Sequence, residues 1–357
     1  MFGKEYRMSE SAQGADGHDI NDLGNDICET SAPTLLDSFG RSFPYLRLSI
    51  TDVCNFSCNY CLPNGYQGCK GTSFLRIDEI ERLINAFADL GTNKIRLTGG
   101  EPTVRKDFTK IATLVSNHPA ITKTAFTTNG YRLFKHAKQW RDAGLSNINI
   151  SLDSLNSERF LQITGHDRLS EVLRGVDKAI EVGFERVKIN TVLLKGVNDS
   201  ELKDYLAWAK STPISIRFIE LMQTGDNLDY YQKHHLSASL ISDELESNGW
   251  KIKPRSHDAG PAKEYIHPDY QGSIGFISPY SKDFCKGCNR LRITSTGDLR
   301  LCLFGKQGVS LRHLLQSDEQ KPLLVKLISD QLTFKCSAHF LALGDTGITP
   351  NLASIGG

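Results

Sequence analysis

The sequence predicts an α/β protein whose core is an incomplete (β/α)6 TIM-type barrel with a C-terminal extension over its open side. Three observations carry this. Six short β-branched runs alternate with segments of helical period, which is the pattern of a parallel sheet. Nearly every run is followed by a polar or glycine-rich stretch. Functional side chains gathered at the C-terminal ends of successive strands favour a barrel, although the alternation alone also suits a doubly wound sheet. Finally, six units fall short of the eight of a closed barrel, so residues from about 225 onward are expected to cover the gap.

Residues 1–34 come first, rich in Gly, Ser, Asp, Glu and Asn, and are expected to form a mobile tail. Strands are predicted at Leu46–Ile50, Lys94–Thr98, Thr124–Thr127, Asn147–Leu152, Arg186–Leu193 and Ser215–Ile219. The clearest helix carries Ile77, Ile80, Leu83, Ile84, Phe87 and Leu90 on one stripe and is ended by Gly91. Others are expected at 107–117, 132–143, 170–182 and 200–210. The post-strand stretches are a cysteine loop, Gly99-Gly100-Glu101-Pro102, Thr127-Thr128-Asn129-Gly130, Ser151-Leu152-Asp153, and Glu220 with Met222. The chain thus divides into a tail (1–34), a barrel core (35–224) and a C-terminal region (225–357).

Composition narrows the function classes. Lys plus Arg is 42 and Asp plus Glu is 41, so the net charge is +1. That balance argues against a dedicated nucleic-acid or membrane-surface binder. An anionic ligand would have to be met by local cations. No run of 18 apolar residues exists to span a membrane. The polar first 33 residues lack a signal-peptide core, so a cytoplasmic protein is expected.

Nine cysteines are present: Cys28, Cys54, Cys58, Cys61, Cys69, Cys285, Cys288, Cys302 and Cys336. An odd number without an export signal points to reduced thiols. Cys54, Cys58 and Cys61 form a CxxxCxxC loop directly after the first strand. Three thiolates can face one metal centre. Structural zinc usually takes four protein ligands, whereas three suit a 4Fe–4S cluster with one iron left open; spacing leaves both readings standing. Cys285, Cys288 and Cys302 form a second trio, for which a zinc knuckle is the alternative. Between them lies Asn289-Arg290-Leu291-Arg292. In an extended segment both arginines project to one side and make an anion clamp; a solvated basic patch is the bland alternative.

The run from Leu46 to Cys61, with Tyr60 just before the third cysteine, resembles the signature of the radical S-adenosylmethionine (SAM) enzymes. Gly99-Gly100-Glu101-Pro102 is similar to that superfamily's second motif, whose glycines let backbone approach the methionine part of SAM, with Glu101 as a nearby acceptor. The second trio, the Arg-x-Arg and the closing Ile355-Gly356-Gly357 narrow the resemblance, from about residue 34 to 357, to the GTP 3′,8-cyclase family. Ser57 and Val53, where many relatives carry a basic residue, and Leu62, where Met is frequent, depart from it.

The resemblance implies two 4Fe–4S clusters, one on Cys54, Cys58 and Cys61 and the other, facing the substrate, on Cys285, Cys288 and Cys302. It implies SAM as cosubstrate near Tyr60, Gly100, Ser151 and Met222. GTP would meet Arg47, Arg96, Thr127, Lys188 and the segment Arg290, Leu291, Arg292, with Arg290 and Arg292 counted among the catalytic residues. A cation buried in a strand is expensive, and a triphosphate would offset it; pairing with Glu101 or Glu220 is the alternative. The implied reaction takes hydrogen from C3′ of GTP by a SAM-derived 5′-deoxyadenosyl radical and joins C3′ to C8. The product, 3′,8-cyclo-7,8-dihydro-GTP, opens molybdenum cofactor biosynthesis. The implied partners are an external one-electron donor and a downstream cyclic pyranopterin monophosphate synthase, with the chain a monomer or homodimer. Cys28, Cys69 and Cys336 match no motif. A radical SAM peptide-modifying enzyme and a non-enzymatic metal-binding scaffold are the competing readings.

Overall fold

Hydrophobic periodicity and glycine stops set the elements that the computed structural model displays; it describes residues 35–68, 73–256 and 259–355. The expected tail, Cys28, Cys69 and Gly356-Gly357 lie outside the described residues. Six parallel strands appear where β-branched runs predicted them: β1 (Tyr45–Ser49), β2 (Lys94–Thr98), β3 (Lys123–Thr128), β4 (Asn147–Ser151), β5 (Arg186–Leu193) and β6 (Ser215–Glu220). The intervening helices are α1 (Ile77–Asp89), α2 (Phe108–Asn117), α3 (Leu133–Asp142), α4 (Ser157–Thr164), α5 (Leu169–Glu181) and α6 (Leu202–Ser211). Helix α1 ends where Gly91 takes a φ of 83°, a left-handed value that suits glycine.

Two features differ from expectation. Helix α4 was not predicted: its eight residues are too few for a convincing period, and Asn156 caps it by accepting from the Arg159 N–H. The barrel also gains two parallel strands from the C-terminal region. These are β9 (Ser273–Ile277), beside β6, and β10 (Arg290–Ile293), beside β1. Antiparallel β7 (Lys251–Ile252) and β8 (Lys263–Ile266) extend one edge, while β11 (Asp298–Arg300) and β12 (Val309–Ser310) extend the other. The sheet runs β12-β11-β10-β1-β2-β3-β4-β5-β6-β9-β8-β7. Among the described residues no pairing joins its ends, so the barrel is open, as the six-unit count implies, and the sheet crosses the expected 224/225 boundary without a break.

Leu46, Leu48, Ile95, Leu97, Phe126, Ile148, Ile150, Ile189, Ile216, Leu291 and Ile293 face the helices and are buried. Their neighbours along each strand face the concave side, because strand side chains alternate. That second parity is charged and polar, and it makes the site.

Candidate active site

The neck of the cysteine loop is set by close backbone approach. The Gly100 N–H donates to the Thr51 carbonyl (2.9 Å) and the Glu101 N–H to that of Val53 (2.8 Å). A Cβ on Gly100 would lie 2.5 Å from the carbonyl oxygens of both Asp52 and Val53. The glycines therefore make room for the cysteine loop itself. Glu101 is buried, and its carboxylate accepts from the Thr103 N–H and Oγ1, Thr128 Oγ1 and the Asn129 N–H. It ties two post-strand loops together beside the cysteine loop.

Helix α4 holds the far side of the loop: Ser57 and Asn59 donate backbone N–H groups to the carbonyls of Thr164 and Ile163. Phe56 stacks on His166 with ring centroids 4.9 Å apart. Tyr60 donates its hydroxyl to Asp153 Oδ2 (2.9 Å). Asn227 reaches the backbone carbonyls of Tyr60 and Met222 from one amide group, a link no motif announced.

Burial pushes the Cys54 thiol up to about 11 and the Cys61 thiol to about 12. Burial, then Asp153 and the two other thiols, raise Cys58 as well. These three groups are mutual neighbours with no cation among their main influences, so their thiolate forms call for a positively charged metal centre. The second trio sits differently. Burial raises Cys285, and Cys302 and Cys288 add to it. For Cys288 burial is outweighed by Lys335, Arg290 and Arg41, and its thiol is lowered. Arg41 clamps this region by donating to the carbonyls of Cys285, Cys336 and Ser337. Among the described residues no group of three His, Cys, Asp or Glu is drawn in around a single ion.

The second trio faces a cavity of about 1100 Å³, its open mouth included. Cys285, Cys288 and Cys302 line it, as do Met222 and seven cations: Arg47, Lys94, Arg96, Lys188, Arg217, Arg290 and Arg292. Among the described residues no Asp or Glu lines it. Burial, then Arg217 and Arg96, lower Lys188 to about 6; burial and Arg290 lower Arg292 to about 10. Arg217 pairs with Glu264, yet its Nε and Arg290 Nη1 are buried without a hydrogen-bond partner. Glu220 accepts from the Ala238 N–H and Ser237 Oγ, so neither it nor Glu101 is the core partner considered for these cations.

Register explains the cluster. Arg47 stands level with Arg292 on β10 and Arg96 on β2, and Arg96 donates to Thr127 Oγ1 (3.3 Å). Ser151 stands level with Asn190, which stands level with Arg217. The Leu291 side chain belongs to the apolar core, so its part in meeting a ligand falls to its backbone, as strand alternation requires. Tyr45, Lys94 and Arg217 are among the cavity residues that sequence reading missed; each has the parity of a predicted cation on its own or a neighbouring strand.

Residues 352–355 reach both the cysteine loop and one of the cavity's arginines. Backbone N–H groups of Ala353 and Leu352 donate to Cys61, and the Ile355 carbonyl accepts from Arg292 Nη1 (3.3 Å). Gly225 and Asp226 anchor this segment through the carbonyls of Thr349 and Pro350.

A half-open parallel barrel with a CxxxCxxC loop after its first strand defines the radical SAM class, and residues 48–209 match the Radical SAM superfamily. Residues 214–341 match Molybdenum Cofactor Synthesis C. The chain is 56% identical over 323 residues to a GTP 3′,8-cyclase of Vibrio atlanticus (strain LGP32), covering 90% of this chain and 97% of that one. It is also 56% identical over 323 residues to that of Stenotrophomonas maltophilia (strain K279a), covering 90% and 99%. It belongs to the GTP 3′,8-cyclase family. Two solved structures share the fold alone. Streptococcus suis SuiB bound to S-adenosylmethionine has a TM-score of 0.58 at 14% identity, covering 86% of this chain and 75% of that one. AdoMet-bound anSMEcpe has a TM-score of 0.52 at 16% identity, covering 80% and 83%.

Proposed function

We propose that the chain converts GTP to 3′,8-cyclo-7,8-dihydro-GTP in the cation-lined cavity, the first step of molybdenum cofactor biosynthesis. The observation that carries this is the cavity itself: seven cations and, among the described residues, no carboxylate, with a thiol trio in its lining. Like-charge crowding in a buried site is relieved by a polyanion, and guanidinium forks suit phosphate oxygens. Cys54, Cys58 and Cys61 would hold one 4Fe–4S cluster and Cys285, Cys288 and Cys302 the other. The clusters and SAM supply the one-electron chemistry when bound.

The chain's own contribution is placement and exclusion. Arg47, Arg96, Lys188, Arg290 and Arg292 would grip the nucleotide, with Thr127 holding Arg96. Tyr60, Gly100, Ser151 and Met222 would contact SAM around the cysteine loop. Fixing both ligands on rigid strands decides which hydrogen lies nearest the reacting carbon. The C-terminal segment lies at both Cys61 and Arg292 and helps keep water out. The electron donor, the downstream pyranopterin-forming enzyme and a monomeric or dimeric state belong to the same reading. Among the described residues no helix is long and apolar enough to cross a membrane.

The test is an anaerobic assay with SAM, GTP and a strong reductant, scored for 5′-deoxyadenosine and the cyclised nucleotide. Both products are expected, and Cys58→Ser should form neither. Zinc instead of iron in oxygen-free, reconstituted protein would overturn the reading.

A further inference from the structure

Among the described residues, the cavity that gathers seven cations is lined by no carboxylate, and apart from the cysteines its only acid is a phenol, Tyr45. Tyr45 is the first residue of β1, level with Arg290 on β10 and Lys94 on β2. Its oxygen receives the Arg96 Nε–H at 2.6 Å, inside the protein. The Lys94 ammonium lies 4.9 Å from its ring centroid and the Arg96 guanidinium carbon 6.0 Å. Arg47 on its own strand, Arg292 on β10 and Arg217 on β6 also interact with it electrostatically. Glu264, the carboxylate that acts on Lys188 and Arg217, is already paired with Arg217.

We propose that Tyr45 is the built-in counter-anion of the empty cavity, a phenolate that holds Arg96 in place and takes up a proton when a polyphosphate replaces its charge. The inference rests on the polyphosphate half of the proposed function and not on the identity of the base. Burial alone would raise the phenol, but Arg96, Arg47 and Lys94 outweigh it and bring it to about 7. At neutral pH the empty cavity is thus poised between phenol and phenolate. An arriving triphosphate competes for the same cations, so the phenolate loses its support and is protonated. Lys188, lowered by burial and by Arg217 and Arg96, is driven towards its protonated form by the same event. Tyr45 is therefore a positioning residue: it prevents Arg96 from being pushed away by the other cations before substrate arrives. It also makes polyphosphate affinity fall by up to about tenfold per pH unit above its midpoint.

The test follows the phenolate absorption band of the reconstituted holoprotein under nitrogen, by difference against Tyr45→Phe. Inorganic triphosphate serves as the probe because it does not absorb there. Ligand-free protein should show one tyrosine ionising near pH 7, absent from Tyr45→Phe. Saturating triphosphate at about pH 8 should remove the band. A wild-type protein with no tyrosine ionising below about pH 9, or a band that persists with triphosphate bound, overturns the inference; neither reading depends on the variant folding. If triphosphate removes the band and GTP does not compete for its site, the role of Tyr45 stands and the guanine-nucleotide reading falls.

Discussion

Gly100 and the Arg290–Arg292 pair show how single residues separate cluster from substrate. In Gly100→Ala the new methyl would meet two backbone carbonyls at 2.5 Å, and backbone cannot step aside as a flexible side chain can. The neck of the cysteine loop must shift. Iron and its paramagnetic signal should be lost from the first trio and kept at the second, halving iron per chain; full iron content would show that the glycine serves another purpose. Arg290→Ala with Arg292→Ala should raise the GTP concentration needed for half-maximal turnover about a hundredfold, as expected on losing two charge-assisted contacts of about 1.5 kcal/mol each, with both clusters intact. Iron loss in that variant would assign the arginines to the cluster's support. The cysteines and these arginines were legible in the sequence because spacing survives without a fold. Tyr45 and Lys94 were not: a tyrosine and a lysine at strand starts carry no pattern until neighbouring strands supply the register.

At the scale of elements, the unpredicted α4 and the C-terminal turn matter most. Helix α4 pins the cysteine loop through Ser57, Asn59 and Phe56. The turn at Ala353–Ile355 lies between Cys61 and Arg292. Deleting residues 352–357 removes two N–H donors to the Cys61 sulfur and the acceptor for Arg292, yet no proposed metal ligand. Cyclisation should fall more than tenfold while iron content and SAM binding persist. An unchanged rate would mean that the segment only rests there. The family resemblance placed the closing Ile355-Gly356-Gly357 near the active site, but neither α4 nor the turn itself was legible in the sequence, since α4 is too short for a period and the turn depends on contacts with residues some 60 and 290 positions away.

At the scale of the molecule, the crowded cations link stability to pH. Lys188 stands at about 6 and Tyr45 at about 7 in the fold, both below their ordinary values. Between those values and about 8, below the range in which the raised cysteine thiols would oppose them, these two groups leave the unfolded chain with more protons than the native one, so the stability of ligand-free protein should rise with pH across that window. A bound polyphosphate favours the protonated forms and should flatten the slope, stabilising most near the acid end. Thermal unfolding under nitrogen, with and without GTP, measures both; a ligand-free midpoint that does not change over the window would show that these groups are not crowded. Salt should weaken GTP binding as it screens the same charges.

Alternation of β-branched runs and helical stripes determined the six-unit core by itself, because both periods are local properties of the chain. Cysteine spacing likewise determined the two trios. Only the tertiary structure decided that β9 and β10, distant in sequence, complete the barrel wall and bring Cys285, Cys288 and Cys302 to face the cations of β1, β2, β5 and β6. It also decided the job of the Gly-Gly pair and Glu101, which is to seat the cysteine loop. Strand pairing joins residues without regard to their separation along the chain, so which charges share a cavity is written in register, and register exists only once the sheet has formed.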